Sequence, residues 1–517
     1  MRKKDTVAKI DAGRRAFLRQ SLLGGVATGV LVGCGQAEIP ALDEVSDDVL
    51  PTDPADDSSS ATTGGDTGSE SEGNDFTECQ PETPADEPSF ELPDYAGLPV
   101  DDGFTFGVSA GDVRSDAAVL WCYISPEVRL SVALWEVNAS DEWVRVAEAL
   151  ELTPNPRGYC HYEITLPTPG SWYRYVFYVR GEDGSWVSRS PVGRFRAALA
   201  DDSLEPLKFG AVACCFQGLP PRPLDHAAFN RELDGFMFLG DSIYNDGAET
   251  QQEFHDSWSE NLTKTSIQTL RGATSILATW DDHEITDNFD PESVSVELFE
   301  TARESFFDVM PLRREVDDTP ERLWRSVKWG ATAEIFLLDA RSERTPSKRQ
   351  SADGEYLSRA QMDWLKQGLK NSTSKFKMIM NSVPISDFPG FFDAAPEDRW
   401  EGYPAQREEI LSYIDDEEIR GVLWVAGDFH LASVQRVSVS GPGEKQNEIL
   451  VGPGAQVGNP LAIGLSLRDQ FDWSSTRNNY TVIGLDPVAE TVTLEYIGAD
   501  VAGNAEVIHT QVLDYAT

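Results

Sequence analysis

Positive charge is what this 517-residue chain has least of: 43 lysines and arginines stand against 87 aspartates and glutamates, a formal net charge of −44. A surface this acidic repels a phosphate backbone, which excludes nucleic acid as a general partner. Long apolar runs are missing too. The sustained apolar stretch near the start covers about 13 residues, short of the roughly 20 that a membrane-spanning helix needs. No internal repeat is present, which excludes a solenoid. Histidine is scarce, six in all, so a histidine beside a carboxylate cluster stands out.

What is present at the front reads as an export address. Arg2, Lys3, Lys4 and Lys9 give a basic start, followed by Arg14-Arg15-Ala16-Phe17-Leu18, a twin-arginine signature. The apolar stretch then runs to Leu31-Val32-Gly33-Cys34, which has the form of a lipobox. Residues 1–34 are therefore expected to be a twin-arginine lipoprotein signal peptide, with Cys34 the lipid-modified first residue of the mature protein. The expected partners are the twin-arginine translocase during export and a lipid anchor in the membrane. The expected place is the periplasmic or cell-surface face of a bacterial membrane. Residues 35–90 follow as an acidic tether. There is no lysine or arginine between Gly35 and Pro88 and few apolar side chains, so this stretch cannot offset its ordering entropy by burial and is expected to be disordered. Cys79 lies within it and receives no role.

About 425 residues remain, too many for one ordinary core. From 91 to 200, short alternating or aromatic runs such as Leu130–Trp135 and Trp172–Val179 are separated by turn signals such as Asn155-Pro156-Arg157-Gly158. This predicts a small all-β domain of immunoglobulin or fibronectin-like size. Within it Cys122 and Cys160 stand as either a disulfide or two buried thiols. From 205 to 517 strands alternate with helices: helical spacing runs over 297–309 and 358–370, and strand-like runs cover 333–338, 376–380 and 421–425. Two further strand-like runs, 480–485 and 491–496, end the chain. The fold class is α/β with added antiparallel strands.

Chemistry concentrates in three segments, Phe236–Asp246, Leu277–Asn288 and Val422–His430. Each is an apolar run that reads as a buried strand, followed at its C-terminal end by polar side chains. That edge of an open α/β sheet is where ligands bind. Asp241, Tyr244, Asp282, His283, Asp428 and His430 are thereby expected to converge. Carboxylate, phenolate and imidazole together suit a hard, highly charged metal centre. A fourth run, Leu207–Gln217, ends in Cys214 and Cys215.

Taken in order, the GDxIY segment, the WDDHE segment, LLDARSER (337–344) and the GDFH segment resemble the PhoD-type alkaline phosphatases of the calcineurin-like metallophosphoesterases, and FGVSAGDVRSDAAVLWCYI (106–124) is similar to the opening of that family's N-terminal β domain. The resemblance implies a four-layered α/β/β/α sandwich preceded by the small β domain. It also implies a centre of ferric iron and calcium. Asp241 would bridge the two metals, while Tyr244, His430 and a cysteine thiolate bind iron. Cys215 is the expected thiolate, one step closer to the loop, with Cys214 facing the core. Asp282 and Asp428 stand where the wider superfamily has Asn and His, which enriches the second metal's ligands in charged oxygen and favours calcium.

The implied reaction is hydrolysis of phosphomonoesters or phosphodiesters by in-line attack of a metal-activated hydroxide. His283 is the expected general acid, helped by Asp281 or Glu284, and Arg341 the expected phosphate donor. The phosphate ester is the expected substrate and a monomer the expected state. Two other readings compete: a cell-surface binding protein with an inactive phosphatase domain, and a related metallohydrolase acting on another phosphorus substrate. The export reading gives a direct expectation. Replacing Arg14 and Arg15 by lysine should leave unprocessed precursor in the cytoplasm, read by fractionation and immunoblotting, and unchanged export would overturn it.

Overall fold

The computed structural model describes residues 90–516, apart from 93–96, 139, 318, 389–395 and 501–502. The signal segment with Cys34, and the tether up to 89, lie outside the described residues. Eight strands come first: Val108–Gly111 (β1), Ala117–Tyr123 (β2), Arg129–Val137 (β3), Trp143–Leu152 (β4), Tyr159–Thr165 (β5), Trp172–Arg180 (β6), Trp186–Arg189 (β7) and Gly193–Arg196 (β8). Leu207–Cys215 (β9), Gly235–Leu239 (β10) and Ser275–Thr279 (β11) alternate with helices. A short ladder, Glu315–Val316 (β12) with Thr319–Pro320 (β13), precedes Arg325–Trp329 (β14), Ala333–Leu337 (β15), Phe376–Met380 (β16) and Val422–Ala426 (β17). Then come Ala432–Arg436 (β18), Asn447–Leu450 (β19), Pro453–Ala455 (β20) and Phe471–Ser475 (β21). Asn479–Asp486 (β22), Thr491–Ala499 (β23) and Ala505–Asp514 (β24) close the chain.

Two large sheets face each other. One has the order β24-β23-β22-β9-β10-β11-β1-β2-β5, and the other β14-β15-β16-β17-β19-β18-β21. Period-two alternation explains the layering. In β10, Met237 and Leu239 point between the sheets, where they meet Val327, Leu337, Met380 and Val425. Phe236 and Phe238 point outward onto Phe254, Trp258, Leu270 and Phe306. The second sheet repeats the pattern: Met378 and Leu423 face inward, while Ile379 and Trp424 face Met362, Leu365 and Ile410. Both faces of each central strand are buried, so β10, β11, β16 and β17 read as unbroken apolar runs rather than alternating ones. The result is the α/β/β/α sandwich.

The covering helices follow from local signals. Helix Gln251–Leu262 opens on a capping box between Thr250 and Glu253 and buries Phe254, Trp258 and Leu262, four residues apart. Helix Arg359–Asn371 is capped by Ser358 and buries Met362, Leu365 and Leu369. The expected helices over 297–309 and 358–370 thus appear as Val296–Val309 and Arg359–Asn371.

The N-terminal strands form a β-sandwich, but not an isolated one. β3, β4, β6, β7 and β8 make a separate sheet, whereas β1, β2 and β5 extend the first large sheet. The join is the parallel pairing of β1 with β11, Ala110 opposite Ser275 and Gly111 opposite Ile276. A side chain at Gly111 would lie 2.5 Å from the Pro311 carbonyl oxygen, so the approach requires glycine there. Cys122 and Cys160 are buried free thiols standing opposite one another on β2 and β5.

His161, on β5, contacts the Met310 carbonyl oxygen through Nε2 at 3.0 Å. Burial pushes its pKa down to about 4, and the nearby Arg314 cation adds to this. The unfolded value is roughly 6.5, so between these two values the unfolded chain binds a proton that the fold excludes. Stability from this group is full above that window and falls as pH drops through it. His161→Gln should therefore lose less thermal stability than wild type between pH 7 and pH 5. Equal losses in the two proteins would exclude His161 as a source of acid sensitivity.

Candidate metal centre

The strand ends of both sheets meet at one edge. β9 supplies Cys214, the loop after β10 supplies Asp241 and Tyr244, and the loop after β11 supplies Asp281, Asp282 and His283. The second sheet adds Arg341 after β15 and Asp428 with His430 after β17. Three groups of donor atoms lie within 4.8 Å of one another: Cys214, Asp241 and His430; Asp241, Asp282 and His283; and Asp281, Asp282 and Asp428. The Tyr244 hydroxyl sits 3.2 Å from Asp241 Oδ2 and 3.2 Å from His430 Nε2. Asp241, Asp282, His283 and Tyr244 are buried, while the Asp428 side chain is 22% exposed and marks the opening to solvent.

Backbone conformation re-aims these side chains. Cys214, Asp241, Asp428 and His430 all adopt positive φ, between 52° and 62°. Such conformations cost roughly 1–3 kcal/mol for residues other than glycine and gather at functional sites. At β9 the effect decides which cysteine serves the cluster. Leu207, Phe209, Ala211 and Ala213 face the space between the sheets, so strict alternation would send Cys215 there and Cys214 to the helical side. The φ of 53° at Cys214 breaks that alternation. Cys214 joins the inter-sheet side and the metal-type cluster, whereas Cys215 packs on the helical side against Val212 and Leu224. The expectation for Cys215 is thus corrected to Cys214.

Electrostatics set the cluster apart. Burial raises the pKa of Asp241, and Asp282, Asp281 and Glu284 push it further; burial and Asp281 do the same at Asp428. Burial, then Asp241, raises the Cys214 thiol, and burial lowers His430 to about 4. At Asp282 burial is outweighed by Arg341 and His283, which hold it below the usual carboxylate range. Asp241 Oδ1 is buried with no hydrogen-bond partner among the described residues. Crowded acids, an orphaned carboxylate oxygen and thiol, phenol and imidazole donors fit a cation-binding site.

Arg341 is corrected as well. It is fully buried and turned inward: Nε meets Asp281 Oδ1 at 2.5 Å, Nη1 meets Asp398 Oδ2 at 2.5 Å, and Nη2 lies 3.1 Å from Asp281, 3.4 Å from Asp282 and 3.5 Å from Asp428. A guanidinium shared by four carboxylates has no free fork for a phosphate. It holds the acids in place. The carboxylate paired with His283 also differs from expectation. Nδ1 lies 2.9 Å from both oxygens of Asp246, and the ring packs on Tyr244 with centroids 4.1 Å apart and planes tilted by 37°. Asp246 ends the first strand-end segment, five residues past Asp241, and pairing with His283 across two loops left no local signal.

Glu284 instead anchors the loops. Its carboxylate accepts from the backbone N–H of Asp241 at 3.0 Å, Ser242 at 2.7 Å and Asp281 at 2.8 Å. Burial raises its pKa to about 7 against the pull of these donors. Beyond β16, Phe388 is buried and stacks on Phe429 at 4.5 Å, and Trp400 and Tyr403 lie in the core; 389–395 fall outside the described residues. His226, His255 and His509 pair with Tyr480, Tyr159 and Gln511 and take no part. Glu284→Ala should leave three buried N–H groups without acceptors, a cost of roughly 3 kcal/mol or more in urea unfolding. A loss below about 1 kcal/mol would show that other groups hold the loops.

Comparison with known proteins agrees with this geometry. The PhoD-like phosphatase family profile matches residues 212–460, and the profile of that family's N-terminal domain matches 95–199. Alkaline phosphatase D of Bacillus subtilis (strain 168) is 26% identical over 407 residues, 67% of each chain. The solved structure of PhoD superposes with a TM-score of 0.70 at 20% identity, covering 80% of this chain and 90% of the other. Purple acid phosphatase PPD1 from yellow lupin seeds superposes at 0.56 and 12% identity, covering 79% and 74%. With both family profiles matched in order and the fold shared, this chain belongs to the PhoD-like phosphatases.

Proposed function

We propose that this chain is an exported, lipid-tethered, metal-dependent phosphoesterase of phosphomonoesters, phosphodiesters or both, placed at the periplasmic or cell-surface face of a bacterial membrane. The observation that carries the reading is the buried double cluster in which Asp241 shares one donor group with Cys214 and His430 and another with Asp282 and His283. One end is rich in thiol, phenol and imidazole, donors that suit iron in its ferric state; the other, Asp281, Asp282 and Asp428, offers carboxylate oxygen alone, which suits calcium. Cys214, Asp241, Tyr244 and His430 would hold the first cation, and Asp282 and Asp428 with Asp241 the second. When bound, such cations supply Lewis acidity to phosphoryl oxygens and to water.

The chain's own residues supply the rest. Asp246 fixes the His283 ring through Nδ1, leaving Nε2 to hand a proton to the departing alkoxide. Asp287 stands 3.9 Å from that nitrogen and favours its protonated form. Arg341 keeps Asp281 and Asp282 in fixed orientation, so that little reorganisation accompanies substrate binding. The twin-arginine pattern and the lipobox-like run ending in Cys34 support delivery to the periplasmic or cell-surface face.

The test uses protein supplied with iron and calcium and assayed on a nitrophenyl phosphomonoester and its bis-ester. His283→Ala should lower turnover by about 10²–10⁴-fold with metal content retained. Cys214→Ala should lose iron, measured by elemental analysis, whereas Cys215→Ala should keep it. Wild-type protein inert on both esters would sink the phosphoesterase reading, and iron retained in Cys214→Ala would sink the ligand assignment.

A further inference from the structure

Arginines gather at a second place, around a cavity of about 140 Å³ lined by Asp112, Arg114, Arg313, Asp317, Arg322 and Arg325, with Trp364 at its side. None of the candidate metal ligands lines it. It lies where the turn after β1 meets β14 and the segment around the β12–β13 ladder. Among the described residues four guanidinium groups meet three carboxylates, two lining the cavity and Glu163 paired with Arg313, which leaves it locally cationic in a chain of formal net charge −44.

The hydrogen bonding is incomplete in a specific way. Each nitrogen of Arg325 is engaged: Nη1 reaches Asp112 Oδ2 at 2.5 Å and the Arg313 carbonyl at 3.1 Å, Nε the Leu323 carbonyl at 2.9 Å, and Nη2 the Arg322 carbonyl at 2.6 Å. Arg313, 7% exposed, gives Nε to Glu163 at 2.9 Å and Nη1 to the Asp112 carbonyl. Its Nη2 is buried with no acceptor among the described residues. Arg322 pairs with Asp317 at 2.5 Å and lies over Trp324, and its Nε is likewise buried with no acceptor. Arg114 is exposed, and its guanidinium has no partner among the described residues. On the acceptor side, Asp112 is 1% exposed and its Oδ1 is also buried and unpartnered.

Buried polar groups without partners are costly, and here three such atoms belong to side chains that line one cavity. Unpaired donors on two buried or half-buried arginines, a free arginine and one unpaired carboxylate oxygen form a matched set. The arginines suit the oxygens of a tetrahedral oxyanion. The carboxylate oxygen would repel a fully deprotonated anion and accepts a hydrogen bond from one that carries a proton. A cavity of about 140 Å³ equals roughly the liquid volume of four to five waters, room for one such ion with a few waters. We propose that this cavity is a binding site for monohydrogen phosphate, separate from the metal centre, with Arg114, Arg313 and Arg322 as donors and Asp112 Oδ1 as the acceptor that selects phosphate over sulfate. Bound there, phosphate ties the turn after β1 to the β14 edge of the second sheet.

Equilibrium dialysis of the metal-loaded, full-length protein against labelled orthophosphate tests this. Arg114 is exposed and unpaired, so Arg114→Glu leaves the fold and the turnover of nitrophenyl phosphate intact. It should bind one phosphate per chain fewer than wild type, and Arg114→Lys should restore the count. The comparison is independent of how many phosphates the metal centre holds. Excess unlabelled sulfate should leave the Arg114-dependent phosphate in place, whereas unlabelled phosphate should displace it. Equal stoichiometry in wild type and Arg114→Glu, or displacement of that phosphate by sulfate as readily as by phosphate, would overturn the proposal.

Discussion

The ion cluster around Arg341 is the constraint on which the metal-binding edge depends. Asp281 and Asp282 arrive from the first sheet, Asp398 and Asp428 from the second, and all four lie against the Arg341 guanidinium, which is itself fully buried. Taking an unpaired carboxylate out of water costs several kcal/mol. Arg341, even with Arg344 also paired to Asp398, cannot balance these acids together with Asp241, and the remaining deficit of positive charge makes this edge a receptor for further cations. Arg341 therefore does two things at once: it binds the loops of the two sheets to each other, and it leaves the mouth acidic.

That arrangement needs side chains aimed away from ordinary strand geometry. Four strand-end residues, Cys214, Asp241, Asp428 and His430, take left-handed backbone conformations, each unfavourable in isolation. At Asp241 the conformation is sustained by Glu284, whose carboxylate caps N–H groups from the loops after β10 and β11. Strain at the donors and hydrogen bonds behind them form one unit, so the donors stand in place before any ligand arrives.

The N-terminal strands contribute stiffness of another kind. Because β1 pairs with β11, the strand that delivers Asp281, Asp282 and His283 is central in a ten-stranded sheet rather than at its edge. Asp308 reinforces the join, accepting from Asn155 at 2.9 Å and pairing with Arg157. Read from sequence, residues 91–200 are a domain of their own; in the structure three of that domain's eight strands are hydrogen-bonded into the phosphatase sheet.

Much was legible in the chain itself. Apolar runs long enough for strands and buried on both faces located β10, β11 and β17, and the polar residues just beyond them marked the site, because a strand buried on both faces cannot carry polar side chains until it ends. Asp241, Tyr244, Asp282, His283, Asp428 and His430 were named on that basis, and the structure brings them together. Other features depended on contacts between segments far apart. Cys214 rather than Cys215 faces the cluster because one backbone torsion reverses the alternation, and no side-chain pattern records a torsion. Arg341 turns inward because four acids from three other loops surround it. Asp246 holds His283 across a gap of 37 residues. By itself the sequence determined which residue types reach the sheet edge, since hydrophobic periodicity is local. Only the tertiary structure decided which of them touch, because charge pairing and backbone strain at that edge are set by loops that meet only after the two sheets have packed.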